Sequence, residues 1–135
     1  MAAPRILIVD NEPGVCFALQ RLLESVGGMR TVVALTADDA EEEIARGAVD
    51  ALVLDFHLLG MRGDAFFHRA CEMQPLLAHR TVFITGDPSP AANDAIALTE
   101  CPALLKPFLG SQLIAMLHAA TRAAVATDTP DARIA

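Results

Sequence analysis

The sequence predicts an α/β protein built on a doubly wound, five-stranded parallel sheet. Three observations predict it. Five short runs are apolar throughout instead of alternating, as strands are when helices cover both faces of a sheet. Segments of helical spacing separate each run from the next, the pattern of successive βα units. Four of the five runs then end on a charged or hydrogen-bonding residue.

The first run, Ile6–Val9, is a strand closed by Asp10-Asn11-Glu12. Pro13 suits a first helical turn and opens a helix over Pro13–Val26. Cys16, Leu19, Leu23 and Val26 share one side of it at helical spacing, and Gly27-Gly28 stops it. Thr31–Leu35 is the second strand. The second helix, Ala37–Arg46, has Asp38 and Asp39 near its start and Gly47 just past its end. Its charge runs, Asp38-Asp39 and Glu41-Glu42-Glu43, read as a solvated face. Ala51–Leu54 is the third strand, with Asp55 at its end. The third helix starts at Asp64 and turns Phe66, Phe67, Ala70, Cys71 and Met73 inward. Thr81–Thr85 is the fourth strand. The fourth helix starts at about Ser89 and buries Ala92 and Ile96, with Leu98 as a further candidate. Ala103–Leu105 is the fifth strand, and Gly110–Val125 the fifth helix, with Leu113, Ile114, Leu117 and Ala120 as its stripe. No repeat or boundary interrupts residues 1–126, so one domain is expected there. Residues 127–135 lack periodicity, hold Pro130 and are expected to form a flexible tail.

The bulk numbers exclude several classes of function. A chain of 135 residues is long enough to bury a core without disulfides or metals. With a net charge of −7 and only ten Lys and Arg, it lacks the clustered basic charge that nucleic acid or an anionic membrane requires. Cys16, Cys71 and Cys101 are odd in number and form no CxxC pair, so they read as small buried residues in a reducing cytoplasm. The N-terminus lacks the apolar stretch of a signal peptide, and no run approaches the length of a membrane helix. His57, His68, His79 and His118 have no metal-ligand spacing. The glycine-rich loops of nucleotide-binding and serine-hydrolase sites are missing.

In a doubly wound sheet, ligands bind beyond the carboxyl ends of the strands, where the strand order reverses. Asp10, Asp55, Thr85 and Lys106 all fall at such ends. If the first and third strands are neighbours, Asp10 and Asp55 lie close together and repel unless a cation intervenes. Mg²⁺ fits, because it takes one or two carboxylates and accepts a phosphate oxygen. A carboxylate can also act as a nucleophile and form an acyl phosphate. A lysine and a hydroxyl are suited to neutralising and orienting a transferring phosphoryl group.

The motifs VDNEP, VLDFHLLGMRG, ITGD and LLKPF follow one another, each at the end of its own strand. Together they resemble the receiver domain of bacterial response regulators, over about residues 5–125. The resemblance implies a flavodoxin-like (βα)₅ receiver fold of strand order 2-1-3-4-5. It implies that Asp55 is the phosphorylated nucleophile, supplied by a sensor histidine kinase or a histidine phosphotransfer protein. Thr85 and Lys106 would join it in catalysis, and Thr85, Gly86 and Lys106 would bind the phosphate. Asp10, Asn11, Asp55 and the backbone carbonyl of His57 would bind Mg²⁺. His57 and Asp87 would tune dephosphorylation, and Gly63 would close the loop after the nucleophile. The Lys106–Pro107 bond is often cis in this family.

The resemblance thus implies a cytoplasmic, single-domain response regulator. Nothing like an output domain follows the fifth helix, so its signal would be altered binding of a downstream protein partner. Neither nucleic acid nor membrane is expected as a partner. No enzymatic activity is expected beyond self-catalysed phosphoryl transfer and autodephosphorylation. Three positions depart from the family pattern. Asn11 stands where a second acid is usual, so weaker Mg²⁺ affinity is expected, with Glu12 too far round to replace it directly. Leu59 stands where proline is usual. Ala103 stands where an aromatic usually turns inward on phosphorylation, and the chain has no Tyr or Trp at all. These departures motivate an alternative, a divergent receiver-fold interaction module that acts independently of phosphorylation. An aspartyl-phosphate phosphatase using Asp10 is a third reading, but Asp10-Asn11-Glu12 fits its D-x-D pattern poorly.

Overall fold

In the computed structural model, which describes residues 3–128, one parallel sheet runs through the molecule with helices on both faces. Its strands are β1 (Arg5–Val9), β2 (Arg30–Ala34), β3 (Ala51–Asp55), β4 (Thr81–Thr85) and β5 (Ala103–Leu105), in the order β2-β1-β3-β4-β5. Helices α1 (Pro13–Ser25), α2 (Ala37–Arg46), α3 (Gly63–Met73), α4 (Pro90–Ala97) and α5 (Gly110–Asp128) alternate with them. This is the expected doubly wound arrangement.

Local chemistry sets the helix starts. Pro13 and Pro90 stand at the first turns of α1 and α4. The Thr36 hydroxyl caps α2 by accepting from Asp39 N–H at 3.1 Å, and Ser89 caps α4 by accepting from Ala92 N–H at 3.2 Å. Gly28, at φ 70°, takes the left-handed turn that leads out of α1.

Alternate residues of the strands feed two cores. Leu7, Val9, Leu52, Leu54 and Phe83 pack beneath α2, α3 and α4, against Ile44, Phe66, Phe67 and Ile96. Ile6, Ile8, Val53, Val82 and Ile84 pack beneath α1 and α5, against Cys16, Leu19, Leu23, Leu113 and Leu117. β3 and β4 are buried along their whole length, which explains why their sequences carry no polar alternation. Each fully buried Leu or Ile contributes about 1.5–3 kcal/mol relative to an exposed one.

The structure corrects the helical stripes at their ends. Val26 and Leu98, expected to face the core, are 72% and 86% exposed, and Met73 is also exposed. Each lies at the last residue of its helix or one past it, at the end of the face that packs on the sheet. Cys16 is buried as expected, while Cys71 and Cys101 are only partly buried. A short antiparallel pair, His57–Leu58 with Met61–Arg62, and a 3₁₀ turn over Pro75–His79 had no counterpart in the sequence reading. α5 extends through Asp128, and the remainder of the expected tail, residues 129–135, lies outside the described residues. Among the described residues, no helix is long and apolar enough to cross a membrane.

β1 is flanked by β2 and β3, so the strand order reverses between β1 and β3. Val9 pairs with Leu54, and the residues that follow them, Asp10 and Asp55, therefore emerge side by side. Asp55 in turn pairs with Ile84, next to Thr85. The register alone gathers three of the expected site residues at one rim.

Candidate functional site

Asp10 follows β1 directly and is fully buried. Both of its carboxylate oxygens are engaged. Oδ1 accepts the Glu12 N–H at 2.9 Å, which bends the chain into α1, and Oδ2 accepts from Lys106 Nζ at 2.9 Å. Charge-assisted bonds of this kind offset the cost of removing a carboxylate from water. The Cys16 thiol donates to the Asp10 carbonyl at 3.2 Å, fastening the same turn to the core.

Asp55 closes β3 and is 4% exposed. Its Oδ2 lies 3.6 Å from Lys106 Nζ, and its Oδ1 accepts only a long 3.4 Å bond from His57 N–H. Burial pushes its pKa up to about 6, and the charge of Asp10 adds to the rise; Lys106 and the His57 N–H offset this only in part. Asp55 is therefore the less satisfied of the two buried carboxylates of the rim.

Lys106 is delivered by β5, whose end is fixed when Lys106 N–H donates to the Thr85 carbonyl at 2.7 Å. The Lys106–Pro107 peptide is cis. The ammonium reaches Asp10, Asp55 and also Glu12, the last at 3.6 Å. Burial pulls the Lys106 pKa down, but the Asp10 bond and the charges of Asp55, Asp10 and Glu12 outweigh it and raise the pKa overall.

The loop after β4 supplies the other wall. The buried Thr85 accepts the Asp87 N–H on its hydroxyl at 3.0 Å. Asp87 Oδ1 accepts from Ser89 N–H at 2.9 Å, and Oδ2 meets His57 Nε2 at 2.7 Å. The His57 hydrogen bond, aided by Ser89, holds the Asp87 carboxyl down at about 2. Between these walls lies an open cleft of about 520 Å³, lined by Asn11, Glu12, Asp55, His57, Gly86, Asp87, Pro88 and Lys106.

Gly63 bears on the loop after Asp55 from behind. A β-carbon there would collide with the Asp55 carbonyl and come within 2.8 Å of Phe56 Cα, so only glycine lets α3 start this close to β3. Gly60, at φ 77°, turns the short hairpin between Leu58 and Met61, and Leu59 stands 70% exposed at its tip.

Of the residues expected from sequence, Asp10, Asp55 and Lys106 meet directly. Asn11, His57, Gly86 and Asp87 line the same cleft, and Thr85 stands behind Asp87. Glu12 is the correction. It was expected to lie too far round to replace Asn11, yet Asp10, Glu12 and Asp55 bring carboxylate oxygens within 4.8 Å of one another. The signal was present in the run Asp10-Asn11-Glu12, but its use depends on how the chain turns at Asp10. Three carboxylates facing one ammonium leave an excess of two negative charges. A divalent, oxygen-seeking cation such as Mg²⁺ fits that donor set.

Comparison with known proteins agrees with this geometry. A family model described as the response regulator receiver domain matches residues 6–118. A curated relative is protein-glutamate methylesterase/protein-glutamine glutaminase 1 of Anaeromyxobacter dehalogenans, 28% identical over 130 residues. That match covers 90% of this chain but only 37% of the relative, so the chain spans little more than a third of the relative's length. A CheY-like response regulator receiver domain protein of Methanospirillum hungatei JF-1 superposes with a TM-score of 0.83 at 20% identity, covering 91% of this chain and 97% of that one. The signal receiver domain of an HD domain-containing protein of Pseudomonas fluorescens Pf-5 gives 0.83 at 26% identity, covering 92% and 98%.

Proposed function

The chain belongs to the response regulator receiver domain family, and from that membership we propose that it accepts a phosphoryl group on Asp55 in two-component signalling. The donor is a sensor histidine kinase or a histidine phosphotransfer protein, and the output is altered binding of a downstream protein. The observation that carries this reading is the state of Asp55: a buried carboxylate at a strand end, open to the cleft, with a pKa near 6 and one shared cation.

The chain's own residues account for each requirement of the transfer. At pH 7 a carboxyl of pKa about 6 is mostly ionised, so Asp55 is available as a nucleophile without a separate base. Its oxygen attacks phosphorus while the bond from phosphorus to the donor's imidazole nitrogen breaks. Lys106, already 3.6 Å from Asp55, pairs with the arriving phosphoryl oxygens. The Thr85 hydroxyl, whose oxygen accepts the Asp87 N–H, donates its own O–H to a phosphoryl oxygen, and Gly86, having no side chain, leaves room beside it. Asp10, Asn11, Asp55 and the His57 carbonyl would hold Mg²⁺, which when bound offsets the negative charge of the phosphoryl group. His57 and Asp87, joined across the cleft, tune how fast the phosphate is hydrolysed. Leu98, just past α4, and Leu105 on β5 stand exposed and give a downstream protein apolar surface to cover.

Incubation with a small-molecule phosphodonor and Mg²⁺ tests the reading. An acid-stable, base-labile phosphate that is lost in Asp55→Asn is the expected result. A second reading, an interaction module that works without phosphorylation, draws on Asn11, Leu59 and Ala103. It predicts no modification with any donor or kinase, and partner binding unchanged in Asp55→Asn.

A further inference from the structure

We propose that Glu12 supplies the third carboxylate for the divalent cation, beside Asp10 and Asp55, in place of the acid that Asn11 lacks; this inference rests on the metal-dependent phosphoacceptor reading above. Three acids, Asp10, Glu12 and Asp55, cluster at this end of the cleft, and their engagements differ. Both Asp10 oxygens are already bonded, one to the Glu12 N–H and one to Lys106. Asp55 holds its long bond from His57 and its distant contact with Lys106. Among the described residues, Glu12 has no hydrogen bond to its carboxylate, only the 3.6 Å approach to Lys106.

The Glu12 backbone is nevertheless fixed. It is the residue before α1, its N–H is tied to Asp10, and its side chain does not cap the helix. A side chain 63% exposed at that point can turn onto a cation at the cleft mouth without disturbing the core. Charge points the same way. Asp10 and Asp55 against Lys106 leave one negative charge, and the Asn11 amide adds none. Glu12 brings the site to two, which matches a divalent ion. Mg²⁺ keeps several of its waters, so a carboxylate on a flexible stem can serve it directly or through one of them. Asn11 then contributes at most a neutral oxygen, and the charge usual at its position has moved one residue along the chain.

Calorimetric titration of the unphosphorylated full chain with Mg²⁺, repeated with Mn²⁺ by electron paramagnetic resonance, reads this without any activity assay. Glu12→Gln is expected to weaken binding at least about fivefold, while Glu42→Gln, an exposed acid on α2, controls for net charge and leaves it within about twofold. Asn11→Asp restores an acid at the neighbouring position, so adding Glu12→Gln to it is expected to cost less than in the wild type. If Glu12→Gln binds as the wild type does while Asp10→Asn or Asp55→Asn binds weakly, the inference fails and the metal site stands. An equal loss in both Asn11 backgrounds also overturns it, since Glu12 would then act independently of position 11. If the wild type binds neither ion, the metal reading falls and the inference with it.

Discussion

His57 Nε2 and Asp87 Oδ2 meet at 2.7 Å, joining the loop after β3 to the loop after β4 across the cleft that holds Asp55. The imidazole is the main reason the Asp87 carboxyl is held at about 2, below its ordinary 3.8. His57→Ala is expected to let that carboxyl return most of the way, read by carbon NMR titration of Asp87. The folded pKa is depressed, so the stability contributed by the pair is present above 3.8 and is lost as pH falls through about 2. An Asp87 midpoint that does not move in His57→Ala would assign the depression to Ser89 instead.

Asp55 has the opposite sign. Its folded pKa, about 6, lies above the ordinary 3.8, so between those values the folded chain binds more protons than the unfolded one. Stability is therefore highest below 3.8 with respect to this group and declines as pH rises through about 6. Asp55→Asn removes the penalty. It is expected to be more stable than the wild type at pH 7 by ~3 kcal/mol, at ~1.4 kcal/mol per pKa unit, with the gap closing towards pH 4. Urea denaturation of both proteins across this range checks the sign; a variant less stable at pH 7 would contradict it.

Lys106 is the cation shared by three carboxylates, one of them fully buried. Lys106→Met leaves Asp10 without its 2.9 Å partner, and breaking a buried pair from one side costs ~3–5 kcal/mol. Because the acids would then share no cation, millimolar Mg²⁺ should recover part of the loss through binding to the folded state. Thermal melts with and without Mg²⁺ measure both effects. A variant as stable as the wild type in chelator would show that Asp10 does not depend on Lys106.

Gly63→Ala places a methyl group against the Asp55 carbonyl and Phe56 Cα, both of them backbone that cannot swing aside. A destabilisation of ~1–3 kcal/mol is expected, with α3 displaced from the nucleophile loop. Denaturant unfolding gives the first value, and amide chemical shifts of residues 55–58 report the second. Gly14→Ala, where a β-carbon would meet nothing within 4 Å, is the matched control and should be near neutral or stabilising.

The legible parts of this molecule are those written in short-range patterns. β1, β3 and β4 are buried on both faces and read as largely apolar runs, so their existence was available from the chain alone. Pro13, Thr36 and Ser89 mark helix starts by chemistry that acts over a few residues. Asp55 and Lys106 were visible because four motifs, each weak alone, follow one another at the ends of their own strands. The errors fall where local pattern weakens. Val26 and Leu98 sit one residue past α1 and α4 and stand exposed, because the local period does not say where the covering layer ends. The His57–Arg62 hairpin is two residues per strand and leaves no periodicity to read.

By itself the sequence determined the sheet, its two helical layers and the acids at its rim, because burial on two faces and helical spacing are properties of neighbouring residues. Tertiary structure alone decided what those acids meet. Asp10 and Lys106 lie 96 residues apart and touch at 2.9 Å only because parallel register brings the strand ends to one edge. Glu12 joins them because Asp10 accepts its N–H and turns the chain there. His57 finds Asp87 because two loops cross the same cleft. Such contacts depend on side-chain reach over a packed sheet, a distance set by the fold and not by the spacing of letters.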